Sequence, residues 1–126
     1  MNVLVDTSIW VRHFRQRDDQ LIQLLASDQV LTHPMVVAEL ACGTPPEPRE
    51  QTLFSLQRLR QCNQAELDEV MAFIEREKLY GRGCGLVDLI LLASALITEG
   101  TRLWTFDKRL ENLADSFEVG YPAELS

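Results

Sequence analysis

A short apolar strand that stops on an acid is the feature that most restricts how this chain can fold. Val3-Leu4-Val5 runs straight into Asp6-Thr7-Ser8. In an α/β protein an acid at the carboxyl end of a strand lies where such folds place their sites. Three more carboxylates, Glu39, Asp88 and Asp107, sit at the ends or margins of apolar stretches far along the chain. If all four meet, they form a nest of negative charge that is costly unless protons or a divalent cation occupy it.

Beyond the first strand, strand-like and helix-like segments alternate. Ser8 is expected to cap a short helix carrying Ile9, Trp10, Val11 and Phe14. Asp18-Asp19 starts a second helix with Leu21, Ile22, Leu24 and Leu25 on its inner side. Val30-Leu31-Thr32 reads as a second strand, and Pro34 suits the first turn of a helix running to Cys42. Gly43-Thr44-Pro45-Pro46-Glu47-Pro48 must be a loop, because its prolines forbid a helix interior. Two amphipathic segments follow, one marked by Leu53, Leu56 and Leu59, the other by Leu67, Val70, Met71 and Ile74 at helical spacing. A glycine loop, Tyr80 to Gly85, leads into an apolar helix from Leu86 to Thr98 that Gly100 ends. Arg102 to Phe106 reads as a third strand, after which Asp107 caps a last helix through Ala114. Strands separated by helices, joined by tight turns, imply an α/β fold with a short parallel sheet sandwiched by helices.

The 126 residues suit one domain spanning 1–126, and 46% hydrophobic residues suffice for an interior without disulfides or a structural metal. Cys42, Cys62 and Cys84 are odd in number and contain no Cys-x-x-Cys pair, so a reducing compartment is expected. The opening residues lack a basic leader, and the longest apolar run, Leu89 to Ala95 and on to Ile97, is broken by Ser94 and too short for a bilayer span. These features lead to the expectation of a soluble cytoplasmic protein. A net charge of −7 weighs against a protein that grips nucleic acid by a general basic surface. It leaves room for a nuclease whose excess acids bind cations, and for a basic protein partner.

Each acid also has a plain structural reading. Asp6 and Asp107 are good helix caps, and Glu39 at the margin of its helix suits a solvated surface. Asp88 resists such a reading more strongly. It lies in the first turn of a helix whose neighbours Leu86, Val87, Leu89, Ile90, Leu91 and Leu92 leave no polar stripe. A helix N-terminus favours a carboxylate by roughly 0.3–1 kcal/mol, only part of the several kcal/mol that burying an ion costs. Taken together, four carboxylates are hard oxygen donors that match Mg²⁺ or Mn²⁺, one or two ions, rather than zinc. Asp6 is the natural bridge between two ions. Thr7, Ser8 and Thr105 are candidate contacts to water or phosphate.

The blocks Val3-Leu4-Val5-Asp6-Thr7-Ser8-Ile9-Trp10, Pro34 to Gly43 with Glu39, Leu86 to Ala95 with Asp88, and Leu103-Trp104-Thr105-Phe106-Asp107 resemble a PIN domain. More narrowly, the chain resembles the VapC toxins of bacterial toxin–antitoxin pairs, over nearly its whole length. The resemblance implies a three-layer α/β/α fold and a metal-dependent endoribonuclease. Its acid quartet falls on Asp6, Glu39, Asp88 and Asp107, and its hydroxyl motif on Thr7 and Ser8. It further implies a homodimer, and inhibition by a small antitoxin protein whose tail places a basic side chain among the acids.

Arg12, Arg15 and Arg82 are candidate contacts to RNA phosphates, against a plain reading as solvated surface charge. Trp10 and Phe14 are expected to pack rather than to stack a base, and His13 and His33 have no partners that suggest a nucleophilic triad. Three other functions compete: an RNA-processing nuclease of the same fold outside a toxin–antitoxin pair, a phosphotransfer domain, and a non-catalytic acidic binding module. A phosphatase of the strand-end aspartate type wants a second Asp where this chain has Ser8, and a receiver wants an acidic pair near the first strand; neither pattern is present. The binding module predicts no divalent-metal site.

Overall fold

The computed structural model describes residues 1–122. Its centre is β1 (Asn2–Val5), whose Val3, Leu4 and Val5 are all fully buried. Successive strand side chains point to opposite faces, so burial of three in a row means that both faces are covered. β2 (Val30–Leu31) pairs with one edge of β1 and β3 (Thr101–Trp104) with the other, both parallel, giving the order β2-β1-β3. The chain leaves β1 towards one neighbour and reaches the other only later. The carboxyl end of β1 is therefore the point where connections diverge, the place where open parallel sheets form crevices.

Helices cover the sheet. α1 (Thr7–Arg15) and α2 (Asp19–Ala26) join β1 to β2. Between β2 and β3 lie α3 (Pro34–Cys42), α4 (Arg49–Gln57), α5 (Leu67–Glu77) and α6 (Leu86–Leu96), and α7 (Lys108–Ser116) follows β3. α3 packs against α1 and α4, α5 against α6, and α6 against β3 and α7. α6 is the most apolar: Leu89 through Ala95 are all buried, Ser94 included. The buried Ser94 hydroxyl accepts from the Ala65 N–H, so its burial leaves no orphaned polar group. The result is the expected parallel sheet between helical layers.

Several local expectations are corrected. Ser8 is inside α1 rather than capping it; Asp6 occupies the cap position without a side-chain cap bond. In α5 the inner face is Val70 and Phe73, with Ile74 packed beside them, whereas Leu67 and Met71 are 59% and 53% exposed. The spacing fixed a stripe, and the stripe that buries is rotated by about one residue from the one that periodicity alone selects. β3 ends at Trp104, so Thr105 and Phe106 lie beyond the strand, and α6 stops at Leu96 rather than Thr98.

The glycine loop before α6 is held by a specific contact. Gly83 has φ +87°, and a Cβ there would stand 2.6 Å from Cδ of Arg109, at the start of α7. Gly83→Ala should cost about 1–2 kcal/mol from the left-handed backbone alone, with Arg109 displaced in addition. A thermal melt lowered by a few degrees checks this, and an unchanged melt contradicts it.

Candidate active site

Asp6 is the first residue past β1. Its N–H donates to the Trp104 carbonyl at 2.9 Å, which extends the β1–β3 ladder by one rung and sets Asp6 level with Thr105. Only 6% of Asp6 is exposed. Its Oδ2 accepts from the Ser8 hydroxyl at 2.8 Å and from the Thr105 hydroxyl at 2.7 Å. Both donors are themselves fixed from behind. Ser8 Oγ accepts from the Phe106 N–H at 3.1 Å, and Thr105 Oγ1 from the Asp107 N–H at 3.0 Å. A hydroxyl has one proton, so each must give it to Asp6. The 3.4 Å approach of the two hydroxyls to one another is then proximity and not a bond.

The other acids come from three helices. Glu39 is exposed on α3, with Oε1 accepting from the Thr7 hydroxyl at 2.6 Å, a link that ties α3 to the start of α1. Asp88 is half-buried in the first turn of α6, and its Oδ2 accepts from the Gly85 N–H at 3.2 Å. Asp107 caps α7: its Oδ1 accepts from the Arg109 and Leu110 N–H groups, both at 3.0 Å. Asp6, Asp88 and Asp107 thus stand at the N-termini of α1, α6 and α7, where the helix dipoles favour negative charge.

The four acids interact. Burial pushes the Asp88 carboxyl above the usual carboxylate range, and the charges of Asp6, Asp107 and Glu39 push it further, against the Gly85 hydrogen bond. None of the four belongs to an ion pair among the described residues. Every one commits a single oxygen to a protein donor. Asp6 Oδ1, Glu39 Oε2, Asp88 Oδ1 and Asp107 Oδ2 have no protein donor among the described residues. An oxygen-only donor set with a free atom on each acid and no internal cation suits a hard divalent ion. No three His, Cys, Asp or Glu side chains among the described residues form a ready-made cage for one ion. Unneutralised carboxylates repel and turn to local donors, and Mg²⁺ keeps several waters and needs only one or two protein oxygens.

The hydroxyls of Thr7, Ser8 and Thr105, expected to meet water or phosphate, have acids as their partners here. Arg12, Arg15 and Arg82 are all exposed but do not share one track. Arg12 lines a cleft of about 560 Å³ beside Phe106, whereas Arg15 lines a groove of about 400 Å³ with Glu39 and Pro45. None of the four acids lines the first opening, and Glu39 alone lines the second. Trp10 is buried and Phe14 packs against the core. His13 Nδ1 accepts from the Asp18 N–H and His33 Nδ1 from the Met35 N–H, so both histidines serve local backbone structure. What sequence reasoning missed is the role of the Phe106 and Asp107 amides in aiming two hydroxyls: the Asp107 contact to Thr105 is local, but the Phe106 contact to Ser8 joins residues 98 positions apart and has no sequence signal.

Comparison with known proteins adds to this geometry. The PIN domain family model matches residues 3–116. Ribonuclease VapC32 of Mycobacterium tuberculosis, in each of two strains, is 41% identical over 124 residues, covering 98% of this chain and 99% of that protein.

Proposed function

This chain belongs to the PIN-domain family, in its VapC-type branch, and from that premise we propose that it is a metal-dependent endoribonuclease and the toxin of a type II toxin–antitoxin pair. The observation that carries the reading is the acid cluster: four carboxylates, each with a free oxygen, and one of them, Asp88, raised above the usual carboxylate range first by burial and then by the charges of the other three. Asp6, Glu39, Asp88 and Asp107 would hold Mg²⁺ or Mn²⁺, one or two ions. Such an ion lowers the pKa of a water, polarises a phosphoryl oxygen and steadies the leaving oxygen.

The chain's own groups supply the rest. Ser8 and Thr105 fix the plane of the Asp6 carboxylate, Thr7 fixes Glu39, and the Gly85 amide fixes Asp88. Water attacks the phosphodiester directly, without the RNA 2′-hydroxyl. Arg12, Arg15 and Arg82 provide exposed positive charge for phosphates flanking the cut. The protein acts in the cytoplasm as a homodimer, and its antitoxin inserts a basic side chain among the acids. A guanidinium there neutralises the same charge that the cation does.

The test is cleavage of single-stranded RNA with Mg²⁺ or Mn²⁺ and with a chelator. We expect cutting only with the cation, leaving 5′-phosphate and 3′-hydroxyl ends. Products ending in 2′,3′-cyclic phosphate, or undiminished cutting in the chelator, would overturn the proposal. A neighbouring reading frame encoding a small DNA-binding protein with a basic tail would decide the toxin role.

A further inference from the structure

The cleft of about 560 Å³ between Phe106 and α2 is built for something other than a phosphate backbone. Its charges cancel: Arg17 pairs with Asp19 at 3.5 Å, and Asp18 and Arg12 balance one another in sign. A track for phosphates would carry a positive surplus. What the cleft offers instead is aromatic surface and amide groups. Phe106 is 37% exposed, with the Arg12 guanidinium 4.9 Å from its ring centroid. Behind it lie Trp104 and Tyr121, their ring centroids 5.2 Å apart, and the buried Trp104 indole N–H has no acceptor among the described residues.

Gln20 and Gln23 of α2 line the same cleft. Gln20 Nε2 donates to the Tyr121 hydroxyl at 2.8 Å and so braces the aromatic wall. Gln23 is exposed, and its side-chain amide has no hydrogen-bond partner among the described residues, leaving a donor and an acceptor side by side. An aromatic ring and an uncommitted carboxamide lining one cleft are groups that can recognise an unstacked nucleobase: the ring takes the face and the amide takes the edge. The cleft is continuous with the cluster through the backbone. The Phe106 N–H holds Ser8, which holds Asp6, and Asp107 is the next residue.

We propose that this cleft receives a base of the single-stranded RNA next to the scissile phosphate, with Phe106 as stacking platform, Gln23 as edge reader and Arg12 bracing the ring. The proposal rests on the nuclease reading of the acid cluster. It makes the cleft a determinant of where RNA is cut.

Two measurements separate the cleft from the chemistry. The first is binding of a short labelled single-stranded RNA pool of random sequence in chelator, for wild type, Phe106→Ala, Phe106→Leu, Gln23→Ala and Arg12→Ala. Phe106→Ala should weaken binding about tenfold or more, with Phe106→Leu weakened as well because it keeps bulk but loses the ring face. The second is the distribution of cut sites across that pool with Mg²⁺ or Mn²⁺, which Gln23→Ala should broaden. If Phe106→Ala lowers the melting temperature, the surface change Gln23→Ala carries the test, because Arg12 also faces phosphates and its loss weakens binding either way. Affinities within twofold of wild type and an unchanged cut-site distribution sink the cleft while leaving a cutting wild type as a nuclease. Wild-type protein that binds through Phe106 but never cleaves sinks the nuclease and leaves the cleft. Wild type that neither binds nor cleaves overturns both.

Discussion

Asp6→Asn should abolish RNA cleavage, lowering kcat about 10³-fold or more, the scale of several kcal/mol of lost cation-borne stabilisation. The argument follows from the hydrogen bonds around Asp6. Ser8 and Thr105 must donate, because each already accepts a backbone N–H from behind. An asparagine at position 6 would therefore turn its carbonyl oxygen towards them and keep the fold. That choice sends the NH₂ group to where Asp6 Oδ1 now has no protein donor. A cation-facing acceptor becomes a donor, and a negative charge is lost with it. Thr105→Val is the informative comparison. It removes one of two bonds to Oδ2 but keeps the charge, so a loss of about tenfold is expected, the effect of about 1.4 kcal/mol in positioning. Cleavage rates at saturating cation, with circular dichroism to check folding, distinguish the two. Asp6→Asn retaining activity within tenfold of wild type would remove Asp6 from the chemistry.

Which parts of this arrangement were legible in the sequence has a physical explanation. Asp6, Asp88 and Asp107 sit at the starts of helices, and helix starts leave local marks: a strand ending, a glycine, a preceding apolar run. The parallel sheet was legible for the same reason, since buried strands read as unbroken apolar runs. The inner face of α5 was not. Leu67 and Met71 fit the helical period as well as Phe73 does, and only the neighbouring elements decide which stripe is covered. The Thr7–Glu39 bond, the Phe106 amide that aims Ser8 and the Thr105 hydroxyl on Asp6 depend on approach between distant segments, which periodicity cannot encode. The cleft was silent for a further reason. Glutamines on an exposed helix face look like any solvated surface until an aromatic from another element is set beside them.

Asp88→Asn should have the opposite signs for function and stability: cleavage lost, but the metal-free protein at neutral pH melting higher, by roughly a few degrees for a chain of this size. The folded state holds the Asp88 carboxyl above its usual range, first by burial and then by Asp6, Asp107 and Glu39. The folded protein therefore binds this proton more tightly than the unfolded chain does. The stability this confers is fully present below the unfolded carboxylate value of about 3.9 and is lost as pH rises through the raised folded value. As pH rises in chelator, wild-type protein increasingly bears the penalty of a half-buried anion facing three others. Asparagine removes that penalty while its carbonyl still accepts the Gly85 N–H. The gain should shrink as pH is lowered, because wild-type Asp88 then takes up a proton itself. Added Mg²⁺ or Mn²⁺ should raise the melting temperature of wild type in proportion to its concentration relative to affinity, and raise that of the variant much less. A variant that melts lower than wild type in chelator at neutral pH, or that gains as much from the cation, would show that Asp88 is not strained by its neighbours, and the electrostatic account of the cluster would fail with it.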